Sequence, residues 1–428
     1  MFLGLAIVAL LIFVYGTLAV KLGRWSITMP MIFMTAGFLL GPGCAGLLPI
    51  SFEAEGMKTL TEVTLAVLLF ADASTLDLRQ LRHDPGLPAR LLGVGMPLTM
   101  LLGTALFFGL LPNEGIAFAA LLAIILAPTD AALGLPIFND PKVPVRIRRA
   151  LNVESGLNDG IATPFVLLFL SLATASEGHA AHDGWLLKAL LEIVLALLAG
   201  LLVGAGGGWL LTKTAARGWS SGISQQIAIF GLALAAFFGS LMIDGNGFIA
   251  AFSGGIIFSA ATGNRFSEPA EFTENAGALL SLLVWGIFGG LAVPKAIFHA
   301  GDWRPFACAV LSLTAVRMLP VALAMSRTGL RSDTIALMGW FGPRGLASVV
   351  FTLLAFMTLR EAGRPIELLV STATWTIMLS VLTHGLSAKP LSAWYARRLA
   401  KADGPLPELQ ELPELRERLN ILRGSHKR

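Results

Sequence analysis

Residues 152–160, NVESGLNDG, place four polar side chains within six positions of an otherwise apolar stretch. At helical spacing, Ser155 and Asp159 share one face, while Glu154 and Asn158 share the face beside it. A carboxylate and a hydroxyl are hard oxygen donors that suit a small cation. We therefore expect Ser155 and Asp159 to form a cation site, and Glu154 and Asn158 to brace a neighbouring helix. A polar network that only holds helices together is the alternative.

A second polar pair lies in residues 127–136, APTDAALGLP. Thr129 and Asp130 follow Pro128 and precede Gly134 and Pro136. Because proline removes a backbone donor and clashes with the preceding turn, a helix is predicted to break here. Within a membrane, such a break is tolerated where it lines a cavity or is buried in protein, and its freed carbonyls can coordinate a cation.

A third segment, residues 339–348 (GWFGPRGLAS), is interrupted in the same way by glycine and proline, and it adds one charge, Arg344. A buried guanidinium needs a carboxylate partner. Glu154 is the predicted partner, because this pairing would leave Asp159 free to titrate.

The composition places these segments in a membrane. Of 428 residues, 55% are hydrophobic and 14% are charged, against about a quarter charged in soluble domains, and the mean hydropathy is +0.75. The formal net charge of +4 is typical of basic cytoplasmic loops, and no nucleic-acid partner is predicted. Cys44 and Cys308 lie in apolar surroundings without metal-ligand spacing, so we predict neither a disulfide framework nor a cofactor.

Apolar runs long enough to cross a hydrocarbon core of about 30 Å predict thirteen transmembrane helices. They form an all-α membrane domain over residues 1–390, and the interrupted segments fall in helices 5 and 12. These two helices are seven apart, as expected if helices 1–6 and 8–13 are inverted repeats. The predicted spans are 2–20, 27–48, 59–76, 91–112, 115–138, 150–173, 189–211, 223–243, 247–262, 273–294, 305–325, 334–357 and 367–387.

The Lys and Arg residues predict the orientation of these helices. Connections after odd-numbered helices hold 14 of them, against 6 on the opposite side. Basic residues concentrate in cytoplasmic loops, so the N-terminus is predicted outside and the C-terminus in the cytoplasm. Lys21 and Arg24 follow the first apolar run and none precedes it, which indicates a retained helix rather than a signal peptide. We interpret residues 391–428 as a short charged tail, either a surface helix or partly disordered, rather than as a regulatory site.

Five motifs together resemble a known family. They are APTDAAL, NVESGLNDG, GNGFIAAFSGG (residues 245–255), GWFGPRGLAS and THGLSAKPL (residues 383–391). The chain is similar in these motifs to the first family of monovalent cation:proton antiporters, which includes bacterial and archaeal sodium/proton exchangers. The resemblance runs from helix 1 to about residue 395, and the ESGLNDG core is its most specific part.

The resemblance implies a fold and a set of roles. The fold would have a transport core of helices 4–6 and 11–13, with helices 1–3 and 7–10 forming a homodimer scaffold. In that family the aspartate of the Asn-Asp pair binds the proton and the cation in turn, and the pair is associated with electroneutral 1:1 exchange. The family's ion-site positions fall on Asp159, Ser155, Thr129 and Asp130, with Asp72 of LLFADAS on helix 3 as a further acid. Its ion bridge falls on Glu154 and Arg344, and its helix-6 pair begins with Asn158.

The predicted function is therefore exchange of a monovalent cation for H⁺ across the cell membrane, in a multi-pass protein that is not an enzyme. Na⁺ is the favoured cation, with K⁺ or Li⁺ as alternatives, because the ligand types do not distinguish them. Two rivals come from other classes. An intramembrane aspartyl protease would use Asp130 and Asp159 as its dyad, but the usual Tyr-Asp and GxGD patterns are missing. A cation channel would need a filter built from repeated loops or charged rings, and no such repeat is visible.

Overall fold

The computed structural model describes residues 2–48, 55–76, 84–174, 185–298, 301–402 and 406–410, and within these ranges the chain forms helices and no strands. Two 3-10 turns, Pro112–Glu114 and Pro407–Leu409, accompany the longer helices. The predicted tail, residues 391–428, is described only to residue 402 and over 406–410. The helices are α1 Phe2–Arg24, α2 Met29–Leu40, α3 Glu55–Thr75, α4 Gly86–Leu110, α5 Ile116–Ile125, α6 Ala131–Phe138, α7 Val145–Thr174, α8 Trp185–Ala216, α9 Gly222–Leu241, α10 Gly247–Thr262, α11 Ser267–Phe298, α12 Arg304–Leu313, α13 Ala315–Ala324, α14 Ser332–Trp340, α15 Leu346–Glu361 and α16 Glu367–Leu399.

The helices have the length and composition of membrane spans. Eight segments of the described chain are long and apolar enough to cross a bilayer, and α2, α5 and α10 are shorter apolar helices. Many large apolar side chains on α1 and α8 are exposed, as expected for surfaces that face lipid. Each of the thirteen predicted spans coincides with a helix or a broken pair of helices. The all-α membrane fold is therefore confirmed, while the number of crossings, the inverted repeat and the orientation stay predictions.

Both predicted breaks are present. Residues 126–130 separate α5 from α6, and residues 341–345 separate α14 from α15. A third break, which the sequence did not predict, lies at Thr314 between α12 and α13, where the backbone leaves the helical region (φ −110°, ψ −94°). No glycine or proline marks residues 313–316, so the local sequence carries no breaker signal.

The chain divides into two compact units. The first comprises Met1–Met57, Gly86–Ser155 and Leu282–Arg428, and it holds all three breaks. Its core includes buried side chains of α4, α6, α13, α14 and α16, with Ile147, Ala150 and Leu151 from the start of α7.

The second unit comprises Lys58–Pro85 and Gly156–Ser281. In this unit α8 and α10 approach closely, because Gly200 and Gly204 lie against the backbone of Gly254. Small residues permit such approach between helices in a membrane. The assignment of helices to a transport core and a dimer scaffold stays a prediction.

Candidate functional site

Asp130 joins the two predicted breaks. Its Oδ1 accepts a hydrogen bond from the amide of Leu133 (2.8 Å) at the start of α6, and its Oδ2 accepts one from Leu346 (2.8 Å) at the start of α15. Its own amide donates to the carbonyl of Pro343 (2.7 Å). One carboxylate thus caps two half-helices, whose first amides carry partial positive charge and lack partners within the helix.

The guanidinium of Arg344 lies near the C-terminal ends of α5 and α12. Its side chain is fully buried. Nη1 donates to the carbonyls of Ala127 and Pro128, just beyond the end of α5, and Nη2 donates to that of Ser312 (3.3 Å) near the end of α12. The last carbonyls of a helix are unpaired and partly negative, so a guanidinium is a suitable partner for them. Arg344 therefore already satisfies two of the carbonyls that the sequence offered as cation ligands.

Glu154 forms an ion pair with Arg317, not with Arg344. Arg317 Nη1 and Nη2 donate to its two carboxylate oxygens at 2.5 and 2.8 Å, and both side chains are buried. Parallel bonds of this kind are the strongest geometry available to an arginine and a carboxylate. The predicted Glu154–Arg344 bridge is therefore wrong. The physical reason is that the guanidinium of Arg344 donates to backbone carbonyls, and the carboxylate of Glu154 is paired with Arg317 instead.

Thr129 and Ser155 are in contact in the structure. Their hydroxyl oxygens lie 3.0 Å apart, and both side chains are buried. This contact ties the break after α5 to the first half of α7. Hydroxyl oxygens belong to the class of donors that bind Na⁺ or K⁺.

Asp159 lies one helical turn beyond Ser155 on the continuous helix α7. Asp159 is half-buried as a residue, and the neighbouring Asn158 is buried. Asp72 lies on α3 and is also half-buried. In the division of the chain these three residues belong to the second unit, whereas Thr129, Asp130 and Ser155 belong to the first. Their role in a common ion site stays a prediction.

Arg317 is the buried partner that the sequence analysis did not assign to Glu154. The unpredicted break at Thr314 lies three residues before it and begins α13, the helix that carries it. A signal did exist, because an arginine inside a Gly-Pro break, as Arg344 is, sits among freed carbonyls and has less need of a carboxylate.

Two glycines of the second break are required by their neighbours. A Cβ at Gly342 would overlap the guanidinium of Arg317, and a Cβ at Gly345 would overlap the carboxylate of Asp130. Neither residue has a positive φ among the described backbone, so space and not backbone conformation selects glycine here. A single methyl group at either position would displace a buried charge.

We expect Gly345→Ala to reduce transport and stability sharply, because Asp130 would have to release the first amides of α6 or α15. The matched control is Gly231→Ala on α9, where an added Cβ meets nothing within 4 Å. The unfolding temperature in detergent should fall by several degrees for Gly345→Ala and be unchanged or raised for Gly231→Ala. Equal stability of the two variants would contradict the double-capping role of Asp130.

Comparisons with known proteins agree with this architecture. The sequence model described as sodium/hydrogen exchanger, transmembrane, matches residues 7–394. A Na⁺/H⁺ antiporter of Schizosaccharomyces pombe is 26% identical over 87% of this chain and 87% of that protein. The Na⁺/H⁺ antiporter NhaH of Halobacillus dabanensis is 30% identical over 80% of this chain and 87% of its own. The K⁺/H⁺ antiporter NhaP2 of Shewanella sp. strain ANA-3 is 24% identical over 89% of this chain and 64% of that protein.

A solved structure shares the fold. The sodium proton antiporter MjNhaP1 from Methanocaldococcus jannaschii, at pH 8, aligns with a TM-score of 0.71 over 90% of this chain and 99% of its own, at 17% sequence identity. At this identity the likeness shows the fold alone. Because the family match extends over nearly the whole membrane domain, the chain belongs to the family of transmembrane sodium/hydrogen exchangers.

Proposed function

We propose that this multi-pass membrane protein exchanges a monovalent cation, Na⁺ in the first place, for H⁺, and that Asp159 is the carboxylate for which the two ions compete. The observation that carries the proposal is the Thr129–Ser155 contact, 3.0 Å between hydroxyl oxygens. It fixes two oxygen donors at a helix break, and α7 carries Asp159 one turn further along.

A single carboxylate suffices for coupled exchange when the site opens to one side of the membrane at a time. Either ion neutralises Asp159, so the loaded site can cross a low-dielectric barrier at less cost than the empty, charged one. The site without a bound ion therefore changes sides slowly, and this suppresses net leak of either ion. Coupling then follows from competition alone and needs no second titrating residue.

The position of Arg344 limits which atoms bind the cation. Because its guanidinium hydrogen-bonds the carbonyls of Ala127 and Pro128, a cation at those carbonyls would meet a fixed positive charge. We therefore propose that side-chain oxygens of Ser155, Thr129 and Asp159 supply the ligands. Asp130 is engaged in capping α6 and α15, so its role is to hold the breaks in place and not to carry an ion.

The choice of Na⁺ over K⁺ rests on the relatives. Two relatives aligned over 87% of their own length are named Na⁺/H⁺ antiporters, while the relatives named K⁺/H⁺ antiporters are longer proteins of which this chain covers 64–67%. K⁺/H⁺ exchange on the same fold is the second candidate. The protease and channel alternatives find no support in this family, whose members are exchangers. We further propose a plasma-membrane location, a homodimer and a part in pH homeostasis.

Purified protein in vesicles that enclose a pH-sensitive dye tests the proposal. An inward Na⁺ pulse should drive H⁺ out and raise the internal pH, whereas choline should not. Li⁺ and K⁺ pulses of equal concentration rank the cations, and a larger response to K⁺ would favour the second candidate. A lack of proton movement with all three cations would refute the proposal.

The same vesicles test the stoichiometry that the Asn158-Asp159 pair suggests. Exchange of one cation for one proton moves no net charge, so a K⁺–valinomycin potential of either sign should leave the Na⁺-driven proton flux unchanged. A moved charge would couple to the potential by about 2.3 kcal/mol per 100 mV. A flux that rises at one polarity and falls at the other would show unequal coupling, and a current without proton movement would indicate a channel.

A further inference from the structure

Beyond the end of α16, residues 406–410 of the C-terminal tail pack against the first unit. Residues 406–410 form a short turn, with a 3-10 helix over Pro407–Leu409, after the long helix has ended at Leu399. Within this turn Leu409 is exposed, whereas the side chain of Glu408 has no exposed surface. A glutamate on a solvated tail is normally exposed, so its complete burial requires a site that receives it.

The receiving site is made by three helices of the first unit. Glu408 Oε1 accepts hydrogen bonds from the amide of Arg331 (2.8 Å), the residue that precedes α14, and from the hydroxyl of Thr334 (2.9 Å) in its first turn. The hydroxyl of Tyr395 on α16 lies 3.0 Å from that of Thr334. From the start of α7, Arg146 Nη1 donates to the carbonyl of Pro407 (2.8 Å). We name these four residues, Arg146, Arg331, Thr334 and Tyr395, the tail pocket.

The direct contacts of Glu408 in the tail pocket are hydrogen bonds from a backbone amide and a hydroxyl. The guanidinium of Arg331 is engaged with Asp333 at 2.8 Å, and this contact holds the pKa of that carboxyl below its ordinary value. What Glu408 meets is a backbone amide and a hydroxyl at the start of α14, the contacts that a carboxylate makes as a helix cap. The pocket therefore accepts an acidic side chain together with the carbonyl of the residue before it.

The tail contains this segment twice. Residues 406–409 read LPEL and residues 412–415 read LPEL again, within the sequence LPELQELPELRE. Every group that the first copy offers to the pocket, the carbonyl of Pro407 and the carboxylate of Glu408, has a counterpart six residues later in Pro413 and Glu414. The second copy has the same chemistry and differs in the length of chain that connects it to α16.

We propose that the tail pocket is a binding site for a Leu-Pro-Glu-Leu segment, and that the two copies in the tail compete for it. Six residues lie between Leu399 and Leu406, and twelve lie between Leu399 and Leu412. By loop-closure entropy, each doubling of the connecting length lowers the probability of closure roughly threefold, so the first copy is favoured over the second by about that factor. Removal of the first copy leaves roughly a quarter of the total docking.

Hydrogen exchange of the Arg331 amide measures docking directly, because this amide donates to Glu408 and is freed when the tail leaves. In full-length protein in detergent, Glu408→Ala should speed exchange roughly fourfold and Glu414→Ala by less than twofold, as the loop lengths require. Glu408→Ala/Glu414→Ala should abolish the protection. The charge-matched control, Glu411→Ala/Glu417→Ala, removes two acids from the tail without altering either LPEL and should exchange as the unaltered protein does.

A synthetic LPELQ peptide provides an independent arm. The tethered segment experiences an effective concentration of the order of millimolar, so the peptide at several millimolar should restore protection to the double variant, and LPALQ should not. Unchanged protection in the double variant would refute docking through these glutamates. Loss of all protection in Glu408→Ala alone would show that the second copy does not bind, and it would refute the proposed competition. Loss of protection in the charge-matched control would show that the tail acts by net charge.

Discussion

Replacing Asp159 with asparagine is expected to reduce cation-driven proton flux in vesicles to that of protein-free vesicles. The amide keeps the size and shape of the carboxylate but can neither bind a proton near neutral pH nor offer a cation a full negative charge. Asp159 is half-buried and its change to asparagine removes no apolar contact, so thermal stability in detergent should be unchanged or raised. Loss of transport with retention of fold is the signature of an ion-carrying carboxylate.

The matched control for this variant is Asp244→Asn. Asp244 lies in the exposed turn between α9 and α10, with a φ of 58° that asparagine also tolerates. It removes the same charge and should leave exchange intact. Sodium-driven flux at the unaltered rate in Asp159→Asn would mean that another acid carries the ions, and Asp72 on α3 would then be the first to test.

The helix breaks show where local sequence suffices. Pro128 and the pair Gly342-Pro343 interrupt the α-helical pattern by removing backbone donors or by adding freedom, effects that act within one turn and are therefore visible in the sequence. The polar residues Thr129 and Ser155 were recognisable as unusual within spans, and the family resemblance placed both in one site, but their direct contact is a finding of the structure. The break at Thr314 was not accessible, since residues 313–316 contain no glycine or proline.

The partner of Glu154 shows where sequence alone fails. Two arginines, Arg317 and Arg344, and several acids lie within the predicted spans, so charge balance alone does not assign the partner of Glu154. The outcome depends on which guanidinium reaches the carbonyls at the ends of α5 and α12, and this is a property of how three broken helices meet. Arg344 reaches them because it lies within the second break, directly after Pro343. The tail pocket escaped prediction for the same reason, because a buried acid in a charged tail has no local signal.

The contact between Glu154 and Arg317 predicts a strong energetic coupling between these two residues. Removing one member of a buried pair leaves an uncompensated charge and typically costs about 3–5 kcal/mol. We expect Glu154→Ala and Arg317→Ala each to lower the unfolding temperature in detergent by many degrees. The double variant should be less destabilised than the sum of the two, by up to about 3 kcal/mol, because it removes both charges together.

Two further double-mutant cycles serve as controls for this measurement. Glu154→Ala combined with Arg344→Ala should be closer to additive, since Arg344 donates to the carbonyls of Ala127, Pro128 and Ser312 and its loss leaves those groups unpaired whatever stands at Glu154. Asp302→Ala combined with Arg304→Ala removes an ion pair of the same chemistry that is partly exposed, where the coupling should not exceed about 1 kcal/mol. A larger coupling of Glu154 to Arg344 than to Arg317 would restore the family's expected bridge. Additivity in both buried cycles would leave Glu154 without a bracing role and make it a second candidate for carrying ions.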